Sequence, residues 1–136
     1  MVTPYTPKWK WNVGAQYEFE LGSYGTLTPR FDVSHQSDTF ATPLNDPTSI
    51  DPSKVKVPVD AAGIPTRRSD RISGYTVANF RLTLKAPSGW QAALEITNLT
   101  DKLYYNTLFD SSTSAGYVAG SPGLPRTFSF TVKRTF

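Results

Sequence analysis

The chain of 136 residues is long enough to form one domain with a core. Its mean hydropathy is −0.35 and no apolar run approaches the ~20 residues of a membrane helix, so a helical membrane protein is excluded. The absence of cysteine excludes disulfides, zinc–thiolate sites and thiol nucleophiles, and the small, scattered net charge of +3 argues against a nucleic-acid partner.

Residues 9–21 show the strictest alternation in the chain. Every odd position is apolar and every even position is polar or glycine, which predicts a strand with one apolar face. At ~3.3 Å per residue this segment spans roughly 43 Å, enough to cross about 30 Å of membrane at a tilt near 45°. Strands of soluble proteins are usually about half as long, so the length favours a transmembrane strand.

A return strand is predicted at residues 26–37. The preceding Gly-Ser-Tyr-Gly at 22–25 tolerates positive φ and predicts a hairpin turn. Pro29 has no N–H for the ladder, so we expect an irregularity there. The predicted apolar face of this strand carries Leu27, Phe31, Val33 and His35.

Residues 38–73 lose this periodicity and are predicted to form a long loop, because prolines recur throughout them. Loops of such length are usually functional or mobile, and transmembrane barrels carry long loops on the external side only. A disordered linker between two domains is the alternative interpretation.

Three further strands are predicted, at 74–86, 90–105 and 123–136. A tight turn at 87–89 and a second long loop at 106–122 connect them. The connections thus alternate short, long, short, long, which places both turns at one end of the sheet and both loops at the other. We predict an all-β chain, an antiparallel meander of about five long strands paired in sequence order, that is part of a large transmembrane β-barrel. Five strands are odd in number and too few to close a barrel alone.

The two faces of this sheet are predicted to differ in chemistry. One side carries Trp11, Val13, Phe19, Phe80, Leu82, Leu94, Phe128 and Phe130. The other carries Arg30, Arg81, Glu95 and Lys133. A β-sandwich must bury one complete face of every strand in its core, whereas a barrel sets the apolar face against lipid. A secreted, aromatic-rich β-sandwich that binds carbohydrate is the alternative, and a small autonomous barrel or adhesin would need additional strands or oligomerisation.

The last strand ends on an aromatic residue. Its apolar positions Phe128, Phe130, Val132 and Phe136 are all even-numbered. The ends of soluble domains usually fray in water, so a terminal Phe is unusual there. This strand is similar to the closing strand of bacterial outer-membrane barrels, which the insertion machinery of that family reads.

Four stretches resemble the C-terminal end of a TonB-dependent outer-membrane receptor: 6–10 (TPKWK), 74–82 (GYTVANFRL), 89–104 (GWQAALEITNLTDKLY) and 123–136 (GLPRTFSFTVKRTF). The most specific part is Asn98-Leu99-Thr100-Asp101-Lys102, followed at a distance by Pro125-Arg126-Thr127 and the terminal Phe. The resemblance covers nearly all of the chain and is least informative in the two long loops. One departure is Arg134, where the family more often has an aromatic or aliphatic residue; near the chain end its guanidinium could still reach lipid head groups.

The resemblance implies a barrel of about 22 strands filled by an N-terminal plug domain. Such receptors import scarce nutrients (ferric siderophores, vitamin B12 or saccharides) across the bacterial outer membrane with energy delivered by TonB. The implied partners are outer-membrane lipid, the remainder of the barrel and the plug, TonB through a more N-terminal part of the receptor, and the barrel-assembly machinery. Residues 1–7 lack the charged start and apolar centre of a signal peptide, so we expect the C-terminal part of a longer precursor, with Met1 either an internal residue or an introduced start.

No catalytic, cofactor-binding or metal-binding constellation is recognisable, so no enzymatic activity and no cofactor are predicted. His35 has no partner at metal-ligand spacing and is expected at a surface or interface. The sequence contains no nucleophile elbow, phosphate loop or dinucleotide fingerprint. Asn98-Leu99-Thr100 is formally a glycosylation sequon, but Asn98 and Asp101 are expected to bend or bulge the strand by bonding backbone groups. Together with Leu99, Thr100, Pro125 and Arg126 they form the predicted structural motif.

Overall fold

The alternating segments form β-strands in the part of the chain that the computed structural model describes, residues 3–44 and 48–135. The strands are β1 (Lys10–Gln16), β2 (Phe19–Glu20), β3 (Thr26–Gln36), β4 (Thr39–Phe40), β5 (Arg71–Ile72), β6 (Tyr75–Lys85), β7 (Trp90–Thr97), β8 (Tyr105–Ser111), β9 (Tyr117–Pro122) and β10 (Thr127–Arg134). Helical structure in these residues is limited to a 3-10 turn at Gly22–Tyr24 and one turn of α-helix, α1, at Ser112–Ala115. The prediction of an all-β chain with antiparallel pairing is confirmed.

The largest sheet contains the predicted strands in the predicted order. Its neighbours are β1, β3, β6, β7 and β10, and β2 also pairs with β3. β7 pairs antiparallel with β6 on one side and with β10 on the other. Within the described residues this is the simple meander expected from nearest-neighbour pairing, with β1 and β10 at its open edges.

The first predicted strand, 9–21, is interrupted in the structure. It forms β1 and β2, with residues 17–18 outside the ladder. The Tyr17 N–H donates to the carbonyl of Pro29 in β3 over 3.2 Å, but Pro29 has no N–H to donate in return. β3 itself runs unbroken through Pro29. The irregularity expected at Pro29 therefore lies in its partner strand.

The two short turns lie at the same end of this sheet, as predicted. A Cβ atom on Gly25, in the first turn, would collide with the carbonyl oxygen of Lys85, where the second turn begins. Gly25 and Gly89 have φ of 102° and 84°, a region that glycine adopts at little cost. Gly25 thus permits the close approach of the first turn to the second, and the positive φ of both glycines permits the tight reversal of the chain in each turn.

Residues 38–73, predicted to be a loop, contain two short strands. β4 and β5 pair antiparallel near the two ends of the segment, and an isolated bridge lies inside it. Asp38 joins the ends because its carboxylate accepts the Gly74 N–H over 2.6 Å and pairs with the Arg71 guanidinium. The prediction of a segment without regular structure is therefore wrong at its ends, where contacts distant in sequence allow strand pairing.

The strand predicted at 90–105 ends early, and the loop predicted at 106–122 is largely a hairpin. β7 stops at Thr97, and Tyr105 begins β8, which pairs with β9 in a separate two-stranded sheet. Gly116, with φ of 75°, follows α1 at the reversal. The Ser, Thr and Gly content of this segment predicted a loop. Strand pairing nevertheless occurs, because the hydrogen bonds between β8 and β9 join backbone groups and do not require particular side chains.

The chain divides into two units, each built from segments distant in sequence. The sheet unit comprises Trp11–His35, Thr76–Lys102 and Leu124–Phe136. The loop unit comprises Met1–Lys10, Gln36–Tyr75 and Leu103–Gly123. Buried apolar side chains include Val77, Ala78 and Ala93 in the sheet unit, and Ile72 and Leu108 in the loop unit. Each unit therefore has only a small apolar interior among the described residues.

A buried carboxylate organises the loop unit. Asp70 is fully buried and accepts hydrogen bonds from the hydroxyls of Thr42 and Ser49. The adjacent Ser69, also buried, donates its hydroxyl to Asp110 of β8 over 2.9 Å. Because buried polar groups are costly without such partners, these bonds fix the long segment to the β8–β9 hairpin.

Candidate functional site

The central strands of the sheet unit place their apolar side chains in rows across one face. Directly opposed residues of antiparallel strands share a face, so the register identifies each row. The rows are Phe80–Ile96–Phe128, Leu82–Leu94–Phe130 and Leu84–Ala92–Val132. The predicted apolar face is thus confirmed for its members in β6, β7 and β10.

This apolar face is strongly exposed at β10. The exposed fractions of Phe128, Phe130 and Val132 are 64%, 69% and 54%. These three residues and Phe136 form the C-terminal barrel signal predicted from the sequence. Phe136 lies outside the described residues. Single exposed apolar side chains are normal in soluble monomers, whereas contiguous rows of them mark a surface that another phase or molecule covers.

Aromatic pairs extend the same face across β1 to β3. The rings of Tyr17 and Phe19 meet edge to face with centroids 4.7 Å apart, and Trp11 stacks on His35 at 5.5 Å. The His35 Nδ1 lies 2.8 Å from the hydroxyl oxygen of Thr76, which is on the same face of β6 as Phe80. The structure therefore places His35 in an aromatic surface near the end of β3.

The opposite face of the sheet is charged. Arg81 opposes Glu95 across the β6–β7 ladder, and both Lys85 and Lys133 oppose Gln91 on its two sides. These residues alternate with the apolar rows along each strand, as the period of two requires. The predicted charged face is confirmed for its members in these strands.

On the same charged face, Arg30 forms a salt bridge with Asp32, with 2.7 Å between Nε and Oδ2. A Cβ atom on Gly14 would collide with the Asp32 carboxylate, so glycine makes room for the pair. This pair was not predicted from the sequence, although a separation of two residues in a strand places both side chains on one face. Arg30 also lines a depression of about 280 Å³, together with Gln16, Glu18, Thr28, Arg81, Thr83, Lys85 and Gln91.

Arg134, the departure from the resembling family, lies on the apolar side. It opposes Trp90 in the β7–β10 ladder, and its guanidinium carbon lies 5.1 Å from the centroid of the Trp90 ring. A guanidinium over an indole face is attracted by the ring quadrupole. The charge is thus accommodated beside an aromatic residue at the short-turn end of the sheet.

Asn98 terminates β7. It is 2% exposed and has φ of 51°. Its amide nitrogen donates to the carbonyls of Lys102 (2.9 Å) and Leu124 (3.0 Å), its amide oxygen accepts the Lys102 N–H, and its own N–H donates to the Asn79 side chain. The side chain thus replaces the ladder partners that the backbone loses as it leaves the strand.

The rest of the predicted structural motif surrounds this turn. Asp101, with φ of 53°, accepts the Arg126 N–H over 3.2 Å and lies 3.8 Å from its guanidinium. The Leu99 N–H donates to a carbonyl of β6, Thr100 is exposed, and the Pro125 carbonyl accepts the hydroxyl of the following threonine. The structure therefore brings Asn98 and Asp101 to the segment 124–126 that leads into β10.

Within residues 3–44 and 48–135, no group of three or more His, Asp or Glu side chains is arranged to hold a metal ion. None of the helices formed by those residues has the length and apolar composition needed to cross a membrane. Comparisons with protein-family models, curated proteins and solved structures found no match to the chain.

Proposed function

We propose that residues 1–136 form neighbouring wall strands of a β-barrel in a bacterial outer membrane, at the C-terminal end of a TonB-dependent transporter. In this role the chain takes part in energy-coupled uptake of a scarce nutrient and carries out no catalysis. The motifs at 89–104 and 123–136 support the assignment to this class, and their resemblance points to ferric siderophores, vitamin B12 or saccharides as nutrients.

The observation that carries the proposal is the exposed apolar face backed by a charged one. Removing a fully exposed Leu or Phe side chain from water is worth about 1.5–3 kcal/mol. The side chains of the three rows are only partly exposed, 38% at Leu94 and 69% at Phe130, so together the rows forgo on the order of 5 kcal/mol while they face water. That is comparable with the whole stability of a small domain. Lipid would cover this face, while the residues of the opposite face would line a wet or plug-filled interior.

The open edges of the sheet also support the proposal. Within the described residues, β1 and β10 each pair with a neighbouring strand on one side only. The backbone N–H and C=O groups on their other side have no strand partner there. Such edges template further pairing, and in a membrane every backbone group must find a partner. Neighbouring strands of a larger barrel would supply these partners.

The two ends of the sheet fit the same arrangement. Tight turns join β2 to β3 and β6 to β7, whereas residues 37–74 and 98–126 form long connections. Barrels of this class have short periplasmic turns and long external loops. Trp90 and Arg134, which pair beside the second turn, would then lie near the periplasmic head groups.

The alternative, a carbohydrate-binding β-sandwich, has less support. A sandwich would use Greek-key crossings and would bury one face, but the described strands follow a meander and Phe128 and Phe130 remain exposed. Among residues 3–44 and 48–135, no observation specifically favours carbohydrate binding by an aromatic surface.

The proposal can be tested with tryptophan as a probe of lipid contact. In a background of Trp9→Phe, Trp11→Phe and Trp90→Phe, Phe130→Trp and Thr131→Trp introduce one indole each on opposite faces of β10. The chain is reconstituted into liposomes, and its strand content is verified by circular dichroism. Brominated phospholipids are expected to quench the indole at position 130 strongly and the matched one at position 131 weakly, because only the first faces lipid.

Two outcomes would contradict this proposal. Equal quenching at both positions would show that the sheet does not separate lipid from a polar interior. A folded chain that stays in the aqueous phase, with neither indole quenched, would favour the soluble sandwich.

A further inference from the structure

A cleft of about 510 Å³ lies within the loop unit, between residues 52–65 and the β8–β9 hairpin. Its walls are mainly apolar and aromatic and include Pro52, Val57, Pro65, Tyr105, Leu108 and Tyr117. Small-molecule sites commonly have volumes of about 300–1,000 Å³ and linings of this type with few polar groups. The cleft therefore has the size and the surface of a ligand site.

The hairpin wall of the cleft is closely packed. A Cβ atom on Gly120 would lie only 2.8 Å from Tyr105 Cδ1 and 2.9 Å from Leu108 Cδ2, so these side chains rest directly on the glycine backbone. The Leu108 carbonyl also accepts the hydroxyl of Tyr5 over 2.7 Å. This wall is held in place by contacts within the protein alone.

The opposite wall is fixed by a turn. The Asp60 carboxylate accepts the N–H groups of Ala62 and Ile64, each over 2.9 Å. The Thr66 N–H donates to the Pro58 carbonyl over 2.9 Å, which closes the base of the turn. Both walls are thus preformed, which lowers the cost of ordering them around a ligand.

Lys56 is the only charged residue among the described residues that line the cleft. It makes no salt bridge or hydrogen bond with any residue in the described part of the chain. Asp51, close by in sequence, is already engaged: its carboxylate accepts the Ser53 hydroxyl over 2.6 Å and the Ser73 N–H over 3.2 Å. Lys56 is thus an exposed cation at the cleft, and no carboxylate of the described residues lies within salt-bridge distance of it.

We propose that this cleft binds a small organic anion in which a carboxylate is attached to an aromatic or other apolar body. The Lys56 ammonium would pair with the carboxylate, and Tyr105, Leu108 and Tyr117 would contact the apolar part. An inorganic anion would leave the apolar walls unused, and a neutral apolar molecule would gain nothing from the ammonium. The proposal does not depend on the membrane role of the sheet unit.

Two probes of the same shape test this site, 2-naphthoate and its neutral analogue 2-naphthamide. Each is titrated into the isotopically labelled full chain in detergent micelles, and binding is followed by NMR at the backbone amides of Gly116, Val118 and Gly120, which line the cleft. Local amide shifts separate binding in the cleft from partition into the micelle. We expect saturable shifts, with naphthoate binding about five- to tenfold more tightly than naphthamide.

Substitutions identify the source of the preference. Lys56→Gln is expected to remove the advantage of naphthoate over naphthamide, because the amide side chain carries no charge. Lys54→Gln is the matched control: this lysine lies in the same segment, does not line the cleft, and only approaches Asp51 to 4.0 Å. Tyr117→Ala is expected to weaken both probes by similar factors.

The proposal is overturned if the hairpin amides are protected from exchange, and hence folded, but show no saturable shift with either probe. It is also overturned if the two probes bind equally, or if Lys56→Gln and Lys54→Gln have the same effect. None of these NMR measurements involves the indole quenching at position 130. A failure of the cleft proposal can therefore be distinguished from a failure of the membrane proposal.

Discussion

At the scale of single residues, the buried amide of Asn98 decides where the central strand ends. Its left-handed conformation is one that asparagine tolerates better than most residues, and its side chain bonds the backbone of Lys102 and Leu124. Asn98 thus adopts the left-handed conformation in which the backbone changes direction, and its side chain forms hydrogen bonds with the backbone N–H and C=O groups that lose their strand partners there.

Replacing Asn98 by alanine should cost about 2–4 kcal/mol in the free energy of unfolding, because buried backbone groups lose their partners and alanine disfavours the positive φ. Asn98→Gly separates the two effects, since glycine keeps the conformation and loses only the bonds. Asn12→Ala, at an exposed position of β1, is the control. Urea titration of the chain in detergent provides the measurement, and a cost at Asn98 no larger than at Asn12 would contradict the assignment.

A second residue-scale effect is the charge on Asp38. Burial alone would raise the pKa of this carboxyl, but the Gly74 N–H and the Arg71 guanidinium outweigh burial and hold the pKa below its ordinary value of 3.8. The folded state therefore prefers the ionised form. Its contribution to stability is complete above pH 3.8 and is lost as the pH falls through the lowered folded-state pKa.

This effect is measurable at the Gly74 amide, which donates to Asp38. We expect its hydrogen-exchange protection, corrected for the intrinsic exchange rate, to decrease below pH 3.8. Asp38→Asn should lower the protection at all pH values and remove this part of the pH dependence. A protection that is independent of pH in the unmodified chain would be inconsistent with an ionised Asp38 anchoring the segment.

At the scale of elements, the sheet unit depends on glycines at its tight turns. Gly22 and Gly25 both have positive φ, 61° and 102°, but their surroundings differ. Nothing lies within 4 Å of a Cβ atom on Gly22, whereas one on Gly25 would meet the Lys85 carbonyl and lie 3.0 Å from the Ala86 Cα. The first turn therefore packs directly on the start of the second.

Two alanine substitutions compare a turn glycine in open space with one that is both more strained and packed against the second turn. Gly22→Ala should cost about 1 kcal/mol, since only the φ preference is lost. Gly25→Ala should cost more than about 3 kcal/mol, because the Gly25 backbone (φ 102°, ψ −141°) lies in a region that residues with a Cβ rarely adopt and because the methyl group also pushes apart two turns that are fixed by their ladders. Urea unfolding of the two variants in the same detergent provides the comparison; equal costs would show that the turns separate easily.

At the scale of the whole molecule, the exposed apolar face and the open edges predict the behaviour of the isolated chain. Without detergent, we expect aggregation, because several aromatic and aliphatic side chains and two strand edges lack cover. Sedimentation velocity with and without detergent tests this. Phe128→Ser with Phe130→Ser should shift the balance toward smaller species, and Thr131→Ser on the other face should not. A monodisperse, detergent-free monomer with cooperative thermal unfolding would instead support a soluble sandwich.

The sequence by itself determined the order of the main strands of the sheet unit and their two faces, but not the break at residues 17–18 or the end of β7 at Thr97. The alternation of residues 74–86 predicts which side chains share a face because the period of two is a property of any extended backbone. The tight turns then allow only antiparallel neighbours. The exposed apolar rows and the charged rows opposite them follow from these two local rules.

Only the tertiary structure decided the rest. The pairing of β4 with β5, the β8–β9 hairpin and the cleft beside Lys56 depend on partners far apart in the chain. Ser69 bonds Asp110 across 41 positions, and Tyr5 bonds the Leu108 carbonyl across 103. The type of a residue and its neighbours in sequence do not predict such partners, because these contacts form only when folding brings distant segments of the chain together.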